Sequence, residues 1–151
     1  MVVLDTGPLG LLTFPQSEPE AVRRDRWLQS ILDRGIAVAI PEIADFELRR
    51  ELVRMRRTTA VRRLDDLARA DGIVFVPIRS DAMRLAAAYW ATARQQGRPT
   101  ADPHALDGDV ILAAQARMLG YLDEDFVVAT VNIRHLNQFV PAAEWWTVTG
   151  S

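Results

Sequence analysis

Apolar residues fall along this chain in short, nearly continuous runs separated by longer stretches with helical spacing. Val2-Val3-Leu4, Ile36 to Ile40, Ile73 to Val76 and Phe126 to Val131 have the pattern of strands buried on both faces. Trp145 to Val148 is a candidate fifth strand. Between them the spacing predicts a helix over about 19–34, with Ser17 and Glu20 as a capping box and Gly35 as its stop. A second helix starts at Pro41 and runs to about Arg57. A third is capped by Thr58 or Thr59 and ends near Gly72. An alanine-rich fourth runs from Ser80 to near Gly97, a fifth from Asp107 to Gly120, and a helical turn lies around Arg134–Phe139. Pro15 to Pro19 and the polar stretch Gly97–Leu106 are the main breaks. Strands alternating with helices predict an α/β domain with a mainly parallel sheet of four to five strands. No internal repeat or second domain is visible, so residues 1–151 are expected to form one domain.

On this framework the acids stand out. Asp5 ends the first apolar run, and Thr6-Gly7-Pro8 follow at once. Open parallel sheets present chemistry at the C-terminal ends of their strands, so a carboxylate there is a candidate functional group. Its bland role would be to cap the next turn by accepting backbone N–H bonds. Thr6 and Gly7 are small and leave room beside it.

The helix from Pro41 carries Glu42, Asp45, Glu47 and Glu51. Ala44, Leu48, Leu52 and Met55 share one face, while Ile43, Phe46 and Val53 form a second apolar face, so the helix is expected to be covered on two sides. Glu47 lies at the border between the faces, and periodicity alone does not choose it over Asp45. Asp107 and Asp109 precede Val110-Ile111-Leu112-Ala113-Ala114. Asp107 is a good N-cap, and both acids gain from the helix dipole. Positions two apart point to different sides of a helix, so both can reach one centre only if Asp107 is in the cap conformation. Thr130-Val131-Asn132 ends the fourth strand; Asn132 can ligate a hard cation, position water, or simply begin a turn.

Composition narrows the chemistry. No cysteine is present, which removes disulfides, thiolate zinc sites and cysteine nucleophiles and suits a reducing cytoplasm. All 18 basic residues are arginine, so lysine-dependent phosphate loops and Schiff bases are excluded. A phosphohydrolase using Asp5 as nucleophile is disfavoured for the same reason, and because Gly7 stands where a second acid would be. No signal peptide or membrane span is visible. Net charge is −2, yet Arg49, Arg50, Arg54, Arg56, Arg57, Arg62 and Arg63 share a 15-residue window with Glu51 as its one acid, a local charge of +6. Such a run is a solvated helix surface or a contact for phosphate or a partner, with Arg49, Arg50 and Arg54 the foremost candidates. Of the two histidines, His104 falls in the polar loop and His135 is expected to cap or pack near the last strand. Trp90, Trp145 and Trp146 are expected to pack, and Trp27 to sit at a helix interface.

Val3-Leu4-Asp5-Thr6-Gly7-Pro8-Leu9, Phe46-Glu47-Leu48-Arg49-Arg50-Glu51-Leu52, Leu106-Asp107-Gly108-Asp109-Val110-Ile111-Leu112-Ala113-Ala114, and Thr130-Val131-Asn132 with His135-Leu136 and Phe139 together resemble the PIN domain, and more closely the VapC-type toxins of toxin–antitoxin pairs. The motifs occur in the family's order and span essentially the whole chain. The resemblance implies a three-layer α/β/α sandwich and a Mg²⁺- or Mn²⁺-dependent endoribonuclease, cytoplasmic and homodimeric. It also implies an antitoxin protein that inserts a segment into or near the site. Asp5 matches the family's first acid, Glu47 its second and Asp109 the acid that opens the apolar helix. Asp107 resembles an additional acid of some members. Thr6 and Thr130 would support this set. A fourth aspartate is common where this chain has Asn132, and Asp107 is the candidate to supply the missing charge. A catalytically weak or inactive RNA- or protein-binding module on the same fold is the alternative that Asn132 motivates.

Overall fold

The computed structural model describes residues 1–14, 18–96 and 103–149. Its strands are β1 (Val2–Leu4), β2 (Val38–Pro41), β3 (Ile73–Val76), β4 (Val127–Thr130) and β5 (Ala142–Glu144). Its helices are α1 (Thr6–Thr13), α2 (Glu18–Leu32), α3 (Glu42–Arg54), α4 (Thr58–Leu67), α5 (Ser80–Gln95), α6 (Pro103–Arg117) and α7 (Ile133–Leu136), with a 3₁₀ turn over Trp145–Thr147. All strand pairings are parallel, in the order β3-β2-β1-β4-β5. From β1 the chain steps through β2 to β3 in one direction. It then crosses back to β4 and β5 in the other. Right-handed crossovers therefore put the helices of the two halves on opposite faces, which gives the three-layer sandwich. The reversal falls between β1 and β4, and ligand crevices of open α/β sheets form beyond the C-terminal ends of such a pair.

The apolar runs become strands because they are the segments with no exposed face to offer. β1 and β2 are buried at every residue, and Leu4, Ile40, Leu9, Ile31, Leu52 and Leu64 are fully enclosed around them. Burying side chains of this size stabilises the fold by about 1.5–3 kcal/mol each. β3 is an edge strand, with Val74 and Phe75 about two-fifths exposed. Gln115 is buried and ties the layers together. Its side-chain carbonyl accepts from Ile43 N–H at 3.1 Å, and its amide donates to the Val76 carbonyl at 2.7 Å. One residue of α6 thus satisfies an orphan donor of the first turn of α3 and fixes the two helices relative to each other.

Several expectations change. Thr6-Gly7-Pro8 was expected only as a strand-end turn, but it opens α1; Pro8 is tolerated in the first turn, where its missing N–H has no helical partner to lose. α6 begins at Pro103, not Asp107, so the predicted loop ends four residues sooner and His104 lies in a helix. Pro103 takes the first helical position, for which its fixed φ is suited. β5 is Ala142–Glu144, and the predicted strand Trp145–Val148 is mostly the 3₁₀ turn. The covering of α3 is less than expected: Ala44, Leu48 and Leu52 of the first face are buried but Met55 is exposed, and of the second face only Ile43 is buried, with Phe46 and Val53 more than half exposed. Trp27 does sit at an interface, its indole N–H donating to the Val148 carbonyl at 2.9 Å and its ring edge-on to Trp145. Trp146 is half exposed rather than packed. Ser17 of the predicted capping box and the Gly97 stop lie outside the described residues.

Asp45 belongs to the fold. It is buried, and both its oxygens bond Arg49 at 2.8 Å; Arg49 in turn bonds Asp65 of α4 at 2.8 Å. The pair pins α3 to α4. Removing the acid leaves a half-buried guanidinium with one partner instead of two. Asp45→Ala is therefore expected to lose about 1–2 kcal/mol of stability in chemical denaturation, with α3 otherwise intact.

Candidate functional site

β1 ends at Leu4, and Asp5 is both the first residue beyond it and the N-cap of α1. Its Oδ1 accepts from Thr6 N–H at 2.7 Å, the capping role open to any such aspartate. Its Oδ2 accepts from the Thr130 hydroxyl at 2.6 Å. Thr130 is fully buried at the end of β4, the neighbour of β1 across the topological switch. Both bonds come from uncharged groups. Burial raises the Asp5 carboxyl above the usual range for aspartate, and the Thr130 hydroxyl and Thr6 amide offset only part of that.

Glu47 reaches the same place from α3. Its Oε2 accepts from the Thr6 hydroxyl at 2.7 Å, so Thr6 holds Asp5 with its amide and Glu47 with its side chain. The choice between Asp45 and Glu47 is thereby made: Asp45 turns inward to Arg49, and Glu47 turns towards Thr6 and Asp5. The other Glu47 oxygen faces α6 at Gly108. A methyl group on Gly108 would stand 2.3 Å from Oε1, well inside contact distance. Gly108 is buried, and it is the residue that lets α6 pass so close to this carboxylate.

Asp109 completes the group from α6. Its carboxyl is raised to about 6 from an ordinary 3.8, first by burial and then by the negative charge of Asp5, with a smaller push from Glu47. His135 opposes that shift. Its Nδ1 stands 3.1 Å from Asp109 Oδ2 and 3.0 Å from Asn132 Nδ2. His135 was expected merely to cap or pack; it belongs to the site. Asn132 follows β4, and its N–H donates to the Thr130 hydroxyl at 2.9 Å, so the turn after β4 is tied to the oxygen that holds Asp5.

Asp107 departs from expectation. In mid-helix, two residues before Asp109, it points roughly 200° away around α6. It is exposed and lines a groove of about 380 Å³ between α5 and α6, with Met83, Ala86, Trp90, Val110 and Ile111. The helix begins too early for the cap conformation that would have brought it to the centre. The arginines also divide. Arg49 is taken by Asp45 and Asp65, and Arg54 by Glu51 at 2.7 Å. Arg50 stacks over the exposed Phe46 ring at 5.6 Å, leaving its guanidinium edge open to solvent-side contacts. The side chain of His104 lies outside the described residues.

The donor chemistry fits a hard divalent cation: carboxylates from three elements, held by hydroxyls, with negative charge crowded and no arginine paired to Asp5, Glu47 or Asp109 among the described residues. Their arrangement is not a finished cage. Among the described residues no three His, Asp or Glu side chains are disposed to hold a metal as they stand. The oxygens are turned onto Thr6, Thr130 and His135 instead.

No protein-family model and no curated protein sequence matches the chain. Solved structures do. FitAcB from Neisseria gonorrhoeae aligns over 98% of this chain and 100% of its own, with 21% identity and a TM-score of 0.68. VapBC2 from Rickettsia felis, bound to a DNA fragment from its promoter, aligns over 96% and 99%, with 15% identity and a TM-score of 0.70. DNA-bound VapBC from Salmonella typhimurium aligns over 95% and 97%, with 18% identity and a TM-score of 0.60. The fold is PIN-like. The five-stranded parallel sheet flanked by helices is common to this chain and to those complexes. Among the described residues no helix of this PIN-like chain is long and apolar enough to cross a membrane.

Two consequences follow from the crowding. Gly108→Ala is expected to leave the protein folded and up to about 1 kcal/mol more stable, since alanine is the better helix former. The added methyl displaces the Glu47 carboxylate from Thr6, so NMR or crystallography of the variant should find Glu47 moved. The second consequence concerns pH. The folded form holds the Asp109 proton up to about pH 6, whereas the unfolded chain releases it near 3.8. Stability therefore falls as pH rises through that window, and the penalty is complete above it. In metal-free buffer, Asp109→Asn should stabilise the protein at pH 7.5 by about 1–3 kcal/mol, an advantage that fades below pH 4. Thermal unfolding across pH 4–8 measures it.

Proposed function

We propose that this chain is a VapC-type PIN-domain toxin, a metal-dependent endoribonuclease inhibited by a cognate antitoxin protein. The observation that carries the reading is the convergence of Asp5, Glu47 and Asp109 beyond the C-terminal ends of β1 and β4, with Glu47 fitted against Gly108. Likeness in fold to FitAcB and the two VapBC complexes supports it.

In this reading Asp5, Glu47 and Asp109 hold Mg²⁺ or Mn²⁺. Asp107 is left out of the set, because it faces α5. When bound, the cation supplies Lewis-acid activation of water and neutralises phosphate charge. The protein's own groups do the rest. The Thr130 hydroxyl and the Thr6 amide orient Asp5, and the Thr6 hydroxyl orients Glu47. His135 holds Asp109 from the other side, with the Asn132 amide against the same ring nitrogen. Arg50 and the exposed Arg56, Arg57, Arg62 and Arg63 supply attraction for an RNA backbone that the acids would otherwise repel. A groove of about 430 Å³ runs from Thr6 and Glu47 past Leu11, Phe14 and Leu48 to Met55. Its apolar walls beside the acids suit an inserted antitoxin segment. A homodimer in the cytoplasm is expected.

The second reading is a PIN-fold module that binds RNA or protein without cutting, favoured by Asn132 and by the absence of a ready metal cage among the described residues. One experiment separates the two. Purified wild type is titrated with Mn²⁺ by calorimetry and assayed on RNA, alongside Asp5→Asn. The nuclease reading expects Mn²⁺ binding and RNA cleavage by wild type, with cleavage reduced at least about a hundredfold in a variant that still folds. Cleavage at the wild-type rate by Asp5→Asn would falsify it, and no binding at millimolar Mn²⁺ would favour the module. Co-purification with the product of an adjacent small reading frame tests the antitoxin.

A further inference from the structure

Phe46 is the residue before Glu47, and it is more than half exposed. Consecutive helical residues have Cα atoms about 3.8 Å apart and point about 100° from each other, so the ring stands next to the acid without sharing its pocket. Arg50 follows Glu47 and Phe46 at the i+3 and i+4 positions, within reach of both. Among the described residues it pairs with no acid, and its guanidinium carbon lies 5.6 Å from the centre of the Phe46 ring. Val53 is the next apolar residue on this face, also more than half exposed. Arg50 stands between the two, so the face lacks the continuous apolar stripe on which a helical peptide docks.

The surroundings are cationic. Arg56, Arg57, Arg62 and Arg63 are exposed and have no ion pair among the described residues. Arg56 ends α3 in the left-handed region, at φ 54°, with the Arg57 N–H donating to the Leu52 carbonyl at 2.8 Å. Glycine usually fills such a cap because a side chain is disfavoured there. A guanidinium is thus carried where a smaller residue costs less. An isolated ring among unpaired arginines matches a flexible polyanion that also offers flat faces, which is single-stranded nucleic acid.

We propose that Phe46, backed by Arg50, is the platform on which a base of single-stranded RNA stacks beside Glu47. The inference rests on the reading above that this chain takes RNA, whether or not it cuts. Glu47 and Phe46 then serve neighbouring positions of one bound strand, and Arg50 meets the phosphate between them.

The test uses the full chain carrying Asp5→Asn, so that bound RNA is not consumed. Its affinity for a short labelled single-stranded RNA is read by fluorescence anisotropy over a range of salt concentrations. Phe46→Leu keeps apolar bulk without a π face, and Phe46→Trp keeps the face. The expected result is affinity lowered at least about fivefold by Phe46→Leu and held within about twofold by Phe46→Trp. The salt dependence stays unchanged in both, whereas Arg50→Ala reduces its slope by about one. An RNA stripped of its bases is expected to bind the parent and Phe46→Leu alike. Phe46→Leu binding the intact RNA as tightly as the parent overturns the platform and leaves the RNA reading standing. Normal RNA binding by Phe46→Leu with loss of the co-purified antitoxin assigns the ring to a protein partner and also overturns it. If the parent binds no RNA and wild type cuts none, the RNA reading fails and this inference falls with it.

Discussion

Negative charge gathers beyond β1 and β4 with no arginine paired to it among the described residues, and the surrounding structure is arranged to bear that load. Asp5 is held by a hydroxyl and an amide, Glu47 by a hydroxyl, Asp109 by an imidazole. Neutral donors orient a carboxylate but do not cancel its charge, so each acid still feels the others, and Asp109 is driven to about 6. A fold selected only for stability would not keep such an arrangement, since isolated charge in a partly buried place is costly. That cost is the physical basis on which a cation site is proposed here.

Asp45 and Glu47 show how the same helix can treat two acids in opposite ways. Asp45 is buried deeper, yet it is fully compensated by a bidentate arginine that also reaches Asp65. Glu47, two residues on, meets a threonine hydroxyl and the bare backbone of Gly108. Compensation rather than burial separates a structural acid from a functional candidate. Gln115 makes the difference durable by locking α6 to the start of α3 and the end of β3, so that Gly108 and Glu47 are presented to each other by rigid elements.

The first four strands and their order in the chain were legible because each is an unbroken apolar run, whereas β5, Ala142–Glu144, is not and was placed three residues too late. Element ends and lateral placement were not legible. α1 was hidden because Gly7 and Pro8 are poor helix formers whose penalties nearly vanish in a first turn. α6 was begun too late because Asp107 and Asp109 resemble caps, while the true start at Pro103 lay in a polar stretch. That boundary, together with the family resemblance, put Asp107 among the candidate acids, and the observed helix phase turns it towards α5. Asp5, Asp109 and, by resemblance, Glu47 were legible as types at positions. Their neighbours were not, because Gly108 and His135 act through contacts 61 and 26 residues away in the chain, which no local pattern records.

The turn after β4 is where this chain departs furthest from an all-acid centre, and the departure is coherent. An amide at position 132 cannot contribute charge, but its N–H engages Thr130 and its side chain engages His135. One turn of α7 then brings the imidazole to Asp109. Replacing a carboxylate by an amide lowers the repulsion among Asp5, Glu47 and Asp109 in the metal-free protein. The same change weakens the pull on a hard cation. Amide and imidazole thus act as one unit on adjacent turns, meeting Asp109 without adding negative charge beside it.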